Sequence, residues 1–216
     1  MLLDIAMLLL GVILTAGTFV FVSAEFSLVA LDQAVVESRA AAGDARARQV
    51  STAIKNLSTQ LSGAQVGITL TTILLGYTTQ SALADMLSSA GVGLGLSTAV
   101  SSAVGVAVAA VLINVLSMVF GELVPKNLAL AHPLKTAGRI VPFNSLFTVV
   151  FKPVITVLNA SANGILRLMG VEPQEELSSA RSASELAAMV RHSAQEGTLD
   201  TSTASLFTNS IRISEL

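Results

Sequence analysis

Several common residue types are absent or scarce in this chain, and each absence removes a class of function. The 216 residues include no cysteine, which excludes disulfides, thiolate metal sites and cysteine nucleophiles. Charged residues make up 12% of the chain, about half the share that is typical of soluble proteins. The net charge of −2 provides no basic field for nucleic acid. With no tryptophan and one tyrosine, any aromatic belt at a membrane interface must rely on phenylalanine.

The few charges leave long uncharged windows, which point to a bilayer. These windows are residues 5–24, 56–84 and 86–121. A helix needs about 20 mostly apolar residues to cross the hydrocarbon core. The sequence therefore predicts three spans, at about residues 5–31, 65–88 and 98–120. A Gly/Ser-rich turn at 88–97 separates the last two. A cleaved signal peptide is the alternative for residues 1–24. Such a peptide has a positively charged segment before its apolar run, whereas no Lys or Arg precedes the apolar run here.

Basic residues are distributed unevenly around these windows. The loop after the first span holds Arg39, Arg46, Arg48 and Lys55, whereas the turn between the second and third spans holds no Lys or Arg. All other basic residues follow Glu122. The positive-inside rule then predicts an external N-terminus and a cytoplasmic C-terminal half. We expect a multi-pass protein of the plasma (inner) membrane.

Residues 133–171 predict a juxtamembrane region rather than a regular span. Arg139, Lys152 and Arg167 interrupt the uncharged runs, and each run is too short to cross a bilayer. Polar residues recur at helical spacing, which predicts an amphipathic helix belt with its polar stripe facing water or headgroups. The stripe consists of Ser145, Thr148, Lys152, Thr156, Asn159 and Asn163. A fourth span broken at Pro153 is the competing interpretation.

The last part of the chain predicts a short cytosolic helical bundle. A capping box at Ser182 and Glu185 predicts one helix, which Gly197 ends. A second short helix is expected to begin near Asp200 or Ser202. The fold class is therefore an all-α membrane protein in three parts. These are a three-span transmembrane domain at 1–132, a juxtamembrane helix region at 133–171 and a cytosolic bundle at 172–216.

One carboxylate follows directly after the third uncharged window. Glu122 lies next to Gly121 and is followed by Pro125 and Lys126. An ionisable residue at this depth is costly and marks a functional site by default. Pro125 lacks an N–H and clashes with the preceding turn, so we predict that the helix breaks around Glu122. Broken helices around charged groups are one way in which membrane proteins form ion sites.

Polar residues also occur inside the predicted spans. They are Ser23 and Glu25 in the first, Gln65 and Thr69 in the second, and Asn114 in the third. Oxygen ligands of these kinds suit hard cations such as Mg²⁺ and Ca²⁺. The structural alternative is that they bond backbone carbonyls or join helices. A ridge of small residues in the third span predicts close helix packing, and it consists of Ser101, Gly105 and Ala109. No nucleophile elbow, phosphate loop or zinc motif occurs, and we expect no enzymatic activity.

Three stretches, in order, resemble the transmembrane domain of the CNNM/CorC magnesium transporters, which are also labelled hemolysin C-like. They are residues 24–31, 61–76 and 120–130. Residues 184–200 resemble the acidic helical bundle that follows that domain. The resemblance implies three spans with an external N-terminus, a homodimer or a heterodimer with a paralogue, and a juxtamembrane belt. It also implies that nucleotide binds only through a pair of CBS domains beyond these residues.

The resemblance also implies a cation site that the three spans share. The implied ligands are Ser23, Gln65, Asn114, the carbonyl of Gly121 and Glu122. The implied motif and conformational residues are Glu25, Thr69, Pro125 and Lys126. Gln65 replaces the Asn of one branch, and the His that close relatives carry near Ser117 is absent. The implied function is Mg²⁺ efflux by alternating access, coupled to Na⁺ because no ATP motif is present. A non-transporting membrane scaffold or regulator that holds a partner protein is the alternative.

Overall fold

The computed structural model describes residues 2–171, 190, 193–194, 200 and 202–207. The chain divides into two compact units, Met1–Val171 and Glu172–Leu216. All the regular elements among the described residues are helical, and the prediction of an all-α membrane protein is confirmed.

Nine α-helices and two π-helical turns make up the described part of the first unit. The α-helices are α1 (Leu2–Val29), α2 (Gln33–Ala41), α3 (Ala45–Ile54), α4 (Leu57–Leu75), α5 (Ser81–Gly93), α6 (Thr98–Leu116), α7 (Val124–Ala131), α8 (Pro133–Val150) and α9 (Lys152–Leu168). The π-helical turns are π1 (Gly76–Gln80) and π2 (Ser117–Leu123). In the second unit, residues 202–207 are helical, close to the predicted second cytosolic helix. The predicted capping box at Ser182 and Glu185, and Gly197, lie outside the described residues.

Two of the helices are long and apolar enough to cross a membrane. They are Leu3–Val29 and Thr98–Ala131, each with a mean hydropathy of 2.5. They correspond to the first and third predicted spans. Helices α8 and α9 are long and apolar enough to cross a membrane only if the two together, bent by 80°, form one broken span.

The second predicted span is part of a longer helix than the sequence indicated. It begins at Leu57 rather than near Gln65 and runs through π1 to Gly93, so the predicted turn at 88–97 shrinks to residues 94–97. Unlike the other two, this helix is not apolar enough to stand out as a membrane span by its composition. It is more polar, and several of its polar side chains bond to α1 and α8. Its crossing of the membrane stays a prediction.

Hydroxyl groups join α1 to α4 and π1. The Oγ1 atoms of Thr18 and Thr71 are 2.8 Å apart. The Thr79 hydroxyl, on π1, donates to the Met7 carbonyl over 2.9 Å. Because these bonds have no competition from water inside a membrane protein, they fix the register of the two helices.

Thr79→Val should destabilise the fold, because it removes the inter-helix bond to Met7 while preserving the shape of the side chain. The expected loss in free energy of unfolding is about 1 kcal/mol. The matched control is Thr72→Val, since the Thr72 hydroxyl bonds the Ile68 and Thr69 carbonyls of its own helix. Unfolding in SDS/detergent mixtures measures both variants. Equal stability of the two would contradict the structural role of Thr79.

The predicted ridge of small residues packs α6 against α5. Ser101, Gly105 and Ala109 are all buried. A Cβ atom built on Gly105 would lie 2.9 Å from both the carbonyl oxygen of Ala84 and the amide nitrogen of Ser88. The two backbones therefore touch at this glycine, as the sequence predicted.

The prediction that Pro125 breaks the helix is wrong. The helix continues from Thr98 to Ala131, with Pro125 buried in the first turn of α7. The chain accommodates the proline by widening into π2 just before it. A π-helical turn bonds residues five apart and not four, which shifts the hydrogen-bond register ahead of the residue that has no N–H.

The predicted polar stripe is also wrong over α8. Of the two stripe residues on α8, Thr148 is buried and Ser145 is half-buried, instead of facing water or headgroups. The Asn144 amide donates to Gln60 Oε1 over 2.9 Å, and the Ser145 hydroxyl donates to the same atom over 3.2 Å. Polar atoms of α8 thus satisfy polar atoms of α4, while Val150 is exposed. The stripe is broken at Phe151, where α8 gives way to α9.

Candidate cation site

The first predicted ligand lies inside the helix bundle. Ser23 is fully buried, and its Oγ has no hydrogen-bond partner among the described residues. Ser27, one turn later, is also fully buried, but its hydroxyl donates to the Ala24 carbonyl over 3.2 Å. An unpaired buried hydroxyl is uncommon. The Ser23 oxygen is therefore free to accept a ligand without the loss of an existing bond.

Gln65 and Glu25 meet on a different side of α1. The Gln65 amide donates to Glu25 Oε1 over 3.3 Å. Gln65 and Thr69 are exposed in the single chain and line a groove of about 370 Å³ between α4 and α9. In the same groove the Ser62 hydroxyl donates to Asn159 Oδ1 over 3.0 Å. The structure thus brings Gln65 to a carboxylate, but to that of Glu25.

Gly121 lies where π2 packs against α1. It is buried, and a Cβ atom there would lie 3.3 Å from Thr18 Cγ2 and 3.5 Å from Ser117 Oγ. Pro125 comes four residues after Gly121 and has no N–H to give. The Gly121 carbonyl therefore lacks the donor that a regular α-helix supplies.

Asn114, Glu122 and Lys126 lie on the surface of the single chain. The Asn114 amide donates to the Ala110 carbonyl of its own helix over 2.8 Å. The Lys126 ammonium lies 4.9 Å from the centre of the Phe26 ring, a cation–π contact that links α7 to α1. Within the described residues, no hydrogen bond joins Glu122 or Asn114 to another predicted ligand. The same residues contain no cluster of three or more acidic or histidine side chains that could hold a metal.

Sequence reasoning missed a hydroxyl group at the centre of this packing. Thr18 is fully buried, faces Gly121 across the α1–π2 contact and bonds Thr71 on α4. It therefore joins the three helices that carry the predicted ligands. The sequence did contain a sign that Thr18 is buried. Thr18 lies midway between Leu14 and Val22, four residues from each, and so on the same face of a helix in an uncharged window. Both neighbours are buried too.

The arrangement offers a cation mainly neutral oxygens near π2, with one carboxylate beside them. The described oxygens there are the Gly121 carbonyl and the Ser117 hydroxyl, with the Glu122 carboxylate next in the chain. The Thr18 hydroxyl is already bonded to Leu14 and Thr71. Hard cations prefer such ligands. A dehydrated divalent ion needs the carboxylate as well, because neutral groups alone leave its charge uncompensated.

Comparison with known proteins settles the family. Residues 9–203 match the domain family described as "CNNM: Cyclin M transmembrane N-terminal domain". The chain belongs to the CNNM family. Among the relatives of this CNNM chain is UPF0053 protein MT1890 of Mycobacterium tuberculosis. It is 46% identical over 212 residues, which cover 98% of this chain and 47% of the relative.

Two further relatives also match nearly the whole of this chain. Uncharacterized protein Rv1841c of M. tuberculosis is 37% identical, with 95% of this chain and 58% of the relative covered. UPF0053 protein YhdT of Bacillus subtilis is 34% identical, with 92% of this chain and 43% of the relative covered. The chain thus spans about half the length of the curated relatives that it matches. CNNM membership confirms the resemblance and a membrane location, while the relatives' names specify no ion, direction or coupling.

Proposed function

We propose that this CNNM chain is the membrane part of a Mg²⁺ transporter that works by alternating access. The observation that carries the proposal is the π-helical turn at Ser117–Leu123. It packs Gly121 against α1 and places Glu122 next to a carbonyl that has lost its regular donor. Turns of this kind are frequent at functional sites, and helix irregularities supply ion ligands in transporters.

The proposed ligands are those that the resemblance implies: Ser23, Gln65, Asn114, the Gly121 carbonyl and Glu122. In the single chain Ser23 is buried, whereas Gln65 and Glu122 are exposed. Ion binding by all of them therefore requires both α4 and α6–π2–α7 to move against α1. Alternating access requires such a movement, and a second copy of the chain can cover the exposed ligands in a homodimer.

The proposed transport exports Mg²⁺ and is coupled to Na⁺. No ATP-binding motif is present in these residues, and the proposal assigns the energy to an ion gradient. The Mg²⁺ ion sheds water reluctantly, so several protein oxygens must replace its hydration shell. Nucleotide regulation belongs to a CBS pair outside this chain.

Flux in liposomes tests the transport proposal. Full-length protein is reconstituted with a Mg²⁺-sensitive dye inside, and a Na⁺ gradient is imposed. We expect Mg²⁺ to move against the direction of Na⁺ movement, and Gln65→Leu to slow it because a neutral ligand is lost. Folded protein that gives no more flux than protein-free liposomes would reject transport.

A membrane scaffold is the second candidate, and one observation favours it. Gln65, Asn114 and Glu122 are exposed in the single chain, and exposed polar groups at membrane depth also suit contact with a partner protein. A scaffold has no need of Mg²⁺. It therefore predicts that removal of the Glu122 charge leaves the response to Mg²⁺ unchanged.

The proposed topology places Arg46 in the cytoplasm and Gly93 outside, as the positive-inside rule requires. Arg46→Cys and Gly93→Cys test it directly because the chain has no cysteine of its own. Both positions are exposed. In intact cells, an impermeant maleimide should label position 93 alone, and position 46 only after permeabilisation. Labelling of position 46 in intact cells would reverse the topology.

A further inference from the structure

Helix α9 is held to the rest of the first unit by little of its surface. Within Lys152–Leu168 the only buried residue is Ile155, and Asn159 bonds Ser62 on α4. The apolar side chains on its other faces are exposed, including Val157 at 65% and Ile165 at 59%. An exposed apolar helix face of this extent needs an apolar surrounding.

The opposite face of α9 is polar, and its charges have one sign. Lys152 and Arg167 lie near its two ends, with Thr156 and Asn163 between them on one stripe. From residue 123 to residue 171 the sequence contains five Lys or Arg residues and no Asp or Glu. An amphipathic helix with cations on its polar face is typical of helices that lie in a membrane interface.

The elbow before α9 sets its direction. The α8 and α9 axes differ by 80°, with Pro153 in the first turn of α9. The Phe147 and Phe151 rings stack across the elbow, with centres 4.3 Å apart. Because α8 packs along the bundle through Asn144 and Thr148, α9 leaves the bundle at a steep angle, as an interfacial helix must.

We propose that α9 is a binding element for anionic phospholipid: its apolar face enters the acyl-chain boundary, and Lys152 and Arg167 contact the headgroups. The occupant is the leaflet and not a soluble anion, because the exposed apolar face requires hydrocarbon beside the charges. The inference rests on the membrane location of the chain and not on ion transport. Asn159 bonds Ser62 on α4, one turn before Gln65. Lipid bound to α9 therefore also stabilises the groove that contains Gln65.

The chain contains no tryptophan, so a single introduced tryptophan reports on α9 without background. Ile165→Trp places the reporter on the apolar face, and Thr156→Trp places it on the polar stripe. Full chain is reconstituted in vesicles of equal amounts of phosphatidylglycerol and phosphatidylcholine. Bromine atoms, which quench tryptophan emission, are attached to the acyl chains of one lipid or of the other.

Brominated chains should quench Ile165→Trp strongly and Thr156→Trp weakly. For Ile165→Trp, bromine on phosphatidylglycerol should quench at least about twofold more than bromine on phosphatidylcholine, since each basic residue attracts anionic lipid. The preference should disappear in the Lys152→Gln/Arg167→Gln background. It should persist in Arg39→Gln/Lys55→Gln, which removes the same charge from exposed positions on α2 and after α3.

Three results would overturn the proposal. Equal quenching of the two reporters would show that α9 does not lie in the interface. A lipid preference that survives Lys152→Gln/Arg167→Gln would assign it to other residues. Loss of the preference on addition of inorganic phosphate at constant ionic strength would assign the two cations to a soluble anion. Because both leaflets of these vesicles have the same composition, an error in topology leaves all outcomes unchanged.

Discussion

Glu122→Gln should abolish the response of the protein to Mg²⁺ while leaving it folded. The substitution preserves the size of the side chain and removes its charge, so the remaining neutral oxygens compensate poorly for dehydration of the ion. Loss of an outer-shell partner weakens metal binding by about 10- to 100-fold, so loss of a direct ligand should weaken it by at least about 100-fold. Thermal unfolding in detergent over a Mg²⁺ titration measures the effect.

Asp85→Asn is the matched control for this substitution. Asp85 is another exposed carboxylate, on α5, and its replacement changes the net charge by the same amount. Its Mg²⁺ response should equal that of the wild-type protein. If Asp85→Asn and Glu122→Gln lose the response equally, general charge and not a site explains it. If both keep it, the scaffold becomes the better account.

Gly105→Val should destabilise the fold more than the loss of the Thr79 hydrogen bond does. Even a Cβ atom at this position would lie 2.9 Å from two backbone atoms of the α5 region, and backbone cannot rotate away as a side chain can. Overpacking typically lowers the free energy of unfolding by about 1–3 kcal/mol. Because the clash at Gly105 is with rigid backbone, we expect a loss at or above the upper end of that range. Unfolding in SDS/detergent mixtures and the recovered folded fraction measure the loss.

Gly164→Ala is the control, because a Cβ atom there meets nothing within 4 Å. Alanine in the middle of a helix is favoured over glycine by about 0.5–1 kcal/mol, so this variant should be as stable as the wild-type protein or slightly more so. Gly105→Ala should lie between the two. Wild-type stability of Gly105→Val would mean that α5 and α6 are not in backbone contact.

Features that depend on spacing along one helix could be predicted from the sequence. The ridge of Ser101, Gly105 and Ala109 is such a feature, since small residues four apart lie on one face whatever the surroundings. The effect of Pro125 could not be predicted, because a helix can either break at a proline or widen before it. Packing of Gly121 against Thr18 favours the second outcome, and that contact joins residues far apart in the chain.

The same distinction explains the polar residues. Thr148 has the spacing of a solvated stripe, yet it is buried because α8 packs against α4 there. Gln60 on α4 also accepts hydrogen bonds from Asn144 and Ser145. Periodicity identifies a face but not the surroundings of that face. Thr18 and Thr71 were missed for a related reason, since threonine in a membrane helix usually bonds its own backbone, and only the folded chain shows that these two meet.

We expect a divalent cation to bind at the π-helical turn beside Gly121 and Glu122. Anomalous scattering from Mn²⁺, a stand-in for Mg²⁺ with similar ligand preferences, tests it most directly in crystals of the full-length protein. One peak should lie about 2.1 Å from a Glu122 carboxylate oxygen and from the Gly121 carbonyl oxygen, and it should be absent in Glu122→Gln. A peak between Glu25 and Gln65 instead, or no peak in the membrane domain, would contradict it.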